Sequence, residues 1–335
     1  MESHRDAIAT NKSISRYGLI EHFPSDLIGN AVKAYGEWAW LETAFIAQLL
    51  DELVQSNRCA APVWYDVGAF IGTFSLGLHA LTGGFRGGSG FSGVAIEGNV
   101  GSARVLENNV AALATGRIEV VTEVLGVDGH KVRATSDAVN RGATSFGSHA
   151  DDADGEFEER ICVPLWRIRN SFGPYGLLKL DVEGMEREVI QSDQEWIGQN
   201  KPVVYAECNE SPNSLALLDL LLWLGYDVYF FSFPAFNPGN FLGVPGDLLF
   251  NGAHEAALIG VPGRVCSGND FERHGCVFRK LESRADLVKA LWLTPRFVSR
   301  QFRDLGVSEL RAVAERLSKG LTLDGFAHAL GTDAG

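Results

Sequence analysis

Three acids in this chain stand where short apolar runs end, each close to a glycine. Asp66 closes Pro62-Val63-Trp64-Tyr65 and leads into Val67-Gly68-Ala69-Phe70-Ile71-Gly72. Glu97 closes Gly93-Val94-Ala95-Ile96 and precedes Gly98 and Asn99. Asp181 closes Leu177-Leu178-Lys179-Leu180, with Glu183 and Gly184 just beyond. Carboxylates so placed can accept from a ligand's hydroxyls, pair with a cation or remove a proton. A strand that breaks at glycine and re-forms as a helix carries backbone close to a nucleotide-like ligand.

The spacing around Asp66 separates two kinds of ligand. A dinucleotide fold uses G-x-G-x-x-G to seat a pyrophosphate on a helix N-terminus. Here the order is D-x-G-x-x-x-G. An acid ahead of the glycines repels a pyrophosphate and suits an ammonium or sulfonium group. S-adenosylmethionine carries both, and its ribose offers two hydroxyls to Glu97. Gly68 and Gly72 let backbone amides approach a ligand with no Cβ in the way. A nicotinamide-dependent oxidoreductase on a similar sheet is disfavoured by the same spacing.

The elements that must hold these acids follow from periodicity. Apolar spacing from Leu27 to Val54 is helical, after a weakly patterned lead-in over residues 1–25. The expected strands begin at Val63, Gly93, Ile118 (to Gly126), Ile161, Leu177 and Pro202. Two further strands are expected at Asp227 to Phe233 and Glu255 to Val261. Helices are expected from Thr73, Val100, Met185 and Pro212, the last with Ser211 as its N-cap. Strands that are apolar throughout and alternate with helices mean a mostly parallel sheet covered on both faces. Residues 59–263 form that domain, 1–58 precede it, 264–281 read as a linker, and 282–335 read as a helical appendage. The glycine-dense run from Thr82 to Gly93 reads as an exposed connection, because it precedes a strand rather than following one.

Composition narrows the class. The 335 residues are 46% hydrophobic and 21% charged, which fits a globular chain. The net charge of -13 gives no general attraction to nucleic acid or to an anionic membrane. Five scattered cysteines without a CxxC pair argue against a disulfide framework or a zinc site and suit a reducing cytosol. The first residues lack a signal-peptide core, and the apolar stretch Leu215 to Phe231 is interrupted by Asp219, Gly225 and Asp227. A cytoplasmic protein without membrane or nucleic-acid partners is the expectation. The acids at Asp151, Asp152, Asp154, Glu156, Glu158 and Glu159 read as a solvated loop, since their spacing is not that of a calcium loop. No paired histidine spacing marks a metal site.

Together these residues reach a recognisable pattern. Asp66 to Gly72, Ala95-Ile96-Glu97 and Leu178-Lys179-Leu180-Asp181-Val182-Glu183-Gly184-Met185-Glu186 resemble the FkbM family of S-adenosylmethionine-dependent methyltransferases. Tyr35-Gly36-Glu37-Trp38, with Glu42 after it, is similar to a segment that often precedes the domain in this family. Phe236-Asn237-Pro238-Gly239-Asn240-Phe241 resembles its late Asn/Pro loop. The resemblance spans residues 30–262. It implies a class I methyltransferase sheet of seven strands, the last antiparallel, and O-methylation of sugars, polyketides or other small molecules. It also implies a cofactor site at Asp66, Gly68, Ala69, Phe70, Gly72, Glu97, Gly98, Asn99 and Asp181. Asp181 is then the candidate base or acceptor-positioning group, with Glu183 sharing that role. The chain departs from the family at Phe70, where asparagine is usual, and at Gly98, often a proline.

Other readings stay open from residues alone. Lys179 lies in an apolar strand and needs a partner, so Asp181 or Glu183 could serve only to neutralise it. Glu207, Asn237 and Asn240 are weaker candidates for the acceptor pocket. A non-catalytic member acting by protein contact, or an oligomer formed through the C-terminal helices, would use residues 282–335.

Overall fold

The computed structural model describes residues 9–59, 63–82, 93–114, 116–135, 145–147, 159–265, 267–294 and 296. In chain order the elements are β1 (Asn11–Ser15), β2 (Gly18–His22), α1 (Leu27–Tyr35), α2 (Trp40–Gln55), β3 (Trp64–Val67), α3 (Thr73–Thr82), β4 (Gly93–Ile96) and α4 (Val100–Leu113). Then come β5 (Ile118–Val121), β6 (Val124–Leu125), β7 (Lys131–Thr135), β8 (Ser145–Gly147), β9 (Glu159–Val163), α5 (Leu165–Phe172), β10 (Leu177–Leu180), α6 (Glu186–Gln191) and α7 (Gln194–Asn200). The series closes with β11 (Val203–Glu207), α8 (Pro212–Trp223), β12 (Asp227–Pro234), β13 (His254–Val261), a 3-10 turn at Ser267–His274, β14 (Val277–Leu281) and α9 (Arg284–Leu293).

The large sheet runs β14-β12-β13-β11-β10-β3-β4-β5. The five strands from β11 to β5 are parallel, and β13 enters antiparallel between β11 and β12. From β3 the chain steps outward to β4 and β5, then returns to the other side of β3 as β10. Strand order therefore reverses between β3 and β10, where carboxyl ends open a crevice.

The two-residue period of the strands sorts their side chains onto two cores. Trp64, Leu177, Val203 and Phe231 pack against Phe45 and Leu49 of α2, Phe74 and Leu78 of α3, and Leu106 of α4. Tyr65, Val67, Leu178, Leu180 and Phe230 pack against α5 to α9 through residues such as Ile168, Val189, Ile197, Leu218 and Leu287. This is the doubly wound, Rossmann-like sheet expected.

Several boundaries differ from expectation. Residues 11–22 of the supposed lead-in form the antiparallel hairpin β1–β2. Asn109 of α4 holds it, accepting the Glu21 N–H at 2.7 Å and donating to the Glu21 carbonyl at 2.9 Å. The segment from Leu27 to Val54 is two helices, because Gly36 at φ +73 caps α1 with its N–H on the Val32 carbonyl. The strand expected from Ile118 to Gly126 divides: β5 stays in the large sheet, while β6 joins β9, β7 and β8 in a second one. The large sheet has eight strands, not seven. The extra edge is β14, inside the stretch read as a linker. Phe278 stacks on Tyr229 at 4.6 Å, and Lys280 pairs with Asp227 at 2.7 Å. The adjacent Arg279 and Lys280 obscure the alternation in a strand this short.

The glycine run at 83–92, the acids Asp151 to Glu158 and the tail beyond Arg296 lie outside the described residues. Among those described, no helix is long and apolar enough to cross a membrane.

Candidate active site

A row of polar side chains crosses the otherwise apolar α2–α3 face. Asp66 of β3, Lys179 of β10 and Tyr205 of β11 stand side by side in register. Asp66 is fully buried. Its Oδ2 accepts the Ser75 hydroxyl at 2.6 Å, and Lys179 Nζ lies 3.5 Å from its Oδ1. The same Nζ lies 3.4 Å from Asp181 Oδ2, and 5.1 Å over the ring of Phe74. Glu42 of α2 accepts the Tyr205 hydroxyl. Burial pulls the Lys179 pKa down, but Asp181, Asp66 and Glu42 outweigh it, and the ammonium is held above its usual range. Asp66 therefore anchors Lys179 and α3 from inside and presents no oxygen to solvent.

The turn after β3 is built for tightness. Gly68 and Gly72 adopt φ +81 and +91. A Cβ on Gly68 would meet the Asp181 carbonyl oxygen at 1.8 Å, and one on Gly72 would meet Leu106 at 2.7 Å. These glycines answer first to close packing within the protein. Four of the turn's N–H groups are spent there as well. Gly68 and Ala69 donate to the Ile96 carbonyl at 2.9 and 3.1 Å, Gly72 to Ala69 at 2.8 Å, and Phe70 to Glu97 Oε2 at 2.8 Å. A pyrophosphate would need such donors free. Phe70 sits at φ +50, a left-handed conformation that asparagine tolerates better, and its ring packs 5.6 Å from Phe23.

Glu97 is buried at the end of β4 and also accepts the Asn99 N–H at 2.7 Å through Oε1. Burial raises its pKa to about 7, against the pull of the two N–H groups. Each oxygen keeps a lone pair, so the carboxylate can still accept from ribose hydroxyls. Asn99 is the side-chain cap of α4, accepting from Gly101 and Ser102. The Gly98 carbonyl accepts from Arg160 at 3.0 Å.

On the other side of Asp181 lies an open cavity of about 90 Å³. Asp181, Glu183, Glu207, Glu255 and Glu42 face it, with Trp38 and Phe233 as apolar walls. The Asp181 side chain is 46% exposed. Glu183 follows at φ +50, and burial together with Asp181 raises its pKa to about 7. Carboxylate oxygens of Asp181, Glu183 and Glu207 lie within 4.8 Å of one another. Asn237 and Asn240 stand apart from the cavity. Asn237 donates to Glu37 at 2.7 Å, and Asn240 bridges Asn237 and Val244. This loop thus docks on the Tyr35 to Trp38 segment, so the two flanking pieces of the resemblance meet in space. Glu255 and Arg296 did not stand out in the sequence. Glu255 lies on an antiparallel strand and Arg296 comes from beyond the sheet, so no strand-end rule marks either.

Residues 66–228 match the family model described as the methyltransferase FkbM domain. Over this segment the chain is similar to the FkbM methyltransferase family. No curated protein matches the chain. Solved structures similar to it include a methyltransferase FkbM from Methylobacillus flagellatus, at 17% identity and TM-score 0.37, covering 60% of this chain and 43% of that one. A precorrin-6y C5,15-methyltransferase from Geobacter metallireducens is 12% identical with TM-score 0.36, covering 65% and 85%. An O-methyltransferase from Bacillus cereus in complex with SAH is 12% identical with TM-score 0.37, covering 70% and 86%. The chain thus spans under half the length of the first of these. The match runs from the last two residues of β3 through β11 to the first two of β12, so all three strand-end acids fall inside it. Glu42, Glu255 and Arg296 fall outside.

Proposed function

We propose that the protein transfers a methyl group from S-adenosylmethionine to a hydroxyl of a small molecule or glycan. The observation that carries this reading is the convergence of the glycine turn, Glu97 and Asp181 where the strand order reverses, in a chain segment similar to the FkbM family. The site offers carboxylates rather than free N–H groups, which fits a cationic ligand bearing a ribose. Glu97 would hold the ribose, and the Gly68–Gly72 turn would pass beneath it. When bound, the cofactor supplies a methyl group activated by its sulfonium.

The remaining work falls to the chain. Lys179 fixes the Asp181 carboxylate at the lip of the cavity, where it orients the acceptor hydroxyl. Glu183, raised to about 7, takes the hydroxyl proton; a base near ambient pH is the efficient choice. Burial of Asp66 beneath Lys179 keeps this arrangement rigid.

Transfer of labelled methyl from S-adenosylmethionine into a panel of hydroxyl compounds tests the reading. A base-stable ether product is expected. Label appearing on nitrogen alone, or no transfer by folded protein to any hydroxyl compound, would overturn it.

A further inference from the structure

The cavity beside Asp181 is ringed with carboxylates, and a guanidinium already sits among them. Arg296 reaches in from beyond α9. Its Nη1 donates to Glu207 Oε1 at 2.8 Å, and its Nη2 lies 2.9 Å from Glu255 Oε2. Its main chain is fastened at the rim: the N–H donates to Glu210 at 2.7 Å, and the carbonyl accepts the His254 N–H at 2.9 Å. One cation thus spans the ends of β11 and β13, with Glu183 and Asp181 close enough to feel its charge. Arg296 follows the last strand of the sheet, and the two acids it bridges lie on the adjacent strands β11 and β13.

Charge is not balanced once Arg296 is in place. Glu42, Asp181, Glu183, Glu207 and Glu255 face the cavity, and Lys179 is already shared between Asp181 and the buried Asp66. Burial still holds Glu42, Glu183 and Glu255 at about 7, and Glu207 well above the usual range. A neutral acceptor gains only ordinary hydrogen bonds from this lining, and an anionic one is repelled by it. A cationic group on the acceptor gains charge-assisted hydrogen bonds there, of the kind Arg296 makes to Glu207 and Glu255.

We propose that the acceptor enters this cavity through a protonated amine or guanidinium that takes the seat of Arg296 between Glu207 and Glu255. This rests on the methyl-transfer reading and names its substrate class: a polyol bearing an amino or guanidino group, as in an amino sugar. The cationic group is held at Glu207 and Glu255. Because Glu207 lies within 4.8 Å of Asp181 and Glu183, a hydroxyl one or two bonds from the cationic carbon meets those two acids.

Calorimetry tests this with glucosamine, N-acetylglucosamine, glucose and agmatine, each titrated into wild-type protein and Arg296→Ala at pH 7 with S-adenosylhomocysteine present. The two cations are expected to bind at least about tenfold more tightly than the two neutral sugars, and tighter still, by a similar factor, to Arg296→Ala. Glu255→Gln should remove the preference. If Arg296→Ala does not fold, Arg296→Lys, which cannot span both acids, takes its place. Equal binding of cations and neutral sugars, no binding of either cation to wild type and variant, or a response to magnesium chloride alone would overturn the proposal. S-adenosylhomocysteine is titrated separately. Its failure to bind, with cation preference intact, would remove the methyl-transfer reading and leave the cation seat standing.

Discussion

Gly68 and Asp181 touch through their backbones. A Cβ on Gly68 would come within 1.8 Å of the Asp181 carbonyl oxygen. The turn that would pass under the cofactor and the strand end that would meet the acceptor are therefore one rigid unit. Gly68→Ala must force the two apart while also straining a φ of +81. A loss of about 2–4 kcal/mol in denaturant unfolding is expected. Gly116→Ala has a similar φ of +76 but open space around its Cβ, and should lose only about 1–2 kcal/mol. Equal losses at the two positions would mean that packing on Asp181 is unimportant.

Lys179→Met should be more damaging than its conservative volume suggests. It strands the buried Asp66 carboxylate, whose other partner among the described residues is Ser75. Removing one member of a buried pair costs about 3–5 kcal/mol. Adding Asp66→Asn to the variant should recover much of this. A double variant no more stable than Lys179→Met would show that the pair does not act as a unit.

Acid strengthens the fold through its buried carboxyls. Glu42, Glu97, Glu183 and Glu255 are raised from 4.5 to about 7, burial being the largest cause for each. Between those values the folded protein binds more protons than the unfolded chain. Their contribution is full below about pH 4.5 and is lost as pH rises through about 7. Glu183→Gln removes one such group, so its denaturant midpoint should fall less than that of wild type between pH 5 and pH 7.5. An identical or steeper fall in the variant would contradict the raised value.

Turnover should separate Glu183 from the cofactor site. Asp181→Asn and Glu183→Gln are each expected to lower methyl transfer by about a hundredfold or more. S-adenosylhomocysteine should bind Glu183→Gln within a few-fold of wild type. Variants that transfer normally would leave these acids only a structural role.

The sheet was legible because its strands are short apolar runs and its helices keep their period. The strand-end acids were legible for the same reason: Asp66, Glu97 and Asp181 each stand where a run stops. Their partners were not. Parallel pairing puts Lys179 level with both Asp66 and Tyr205, and only the strand order reveals it. Asp66 consequently looked like a ligand to a cation from outside, whereas the structure gives it one from inside. β14 was hidden by its paired cations, and the hairpin β1–β2 by weak alternation. Arg296 carried no local signal at all, since its meaning depends on two acids that are far apart in sequence and come together only where β11 pairs with β13.

Binding of S-adenosylhomocysteine, measured by calorimetry on wild type and Glu97→Ala, tests the central claim most directly. One molecule per chain should bind wild type, and at least about tenfold more weakly to a folded Glu97→Ala, which lacks the acceptor for the ribose hydroxyls. No binding by folded wild-type protein, or equal binding by the variant, would contradict the assignment of this crevice.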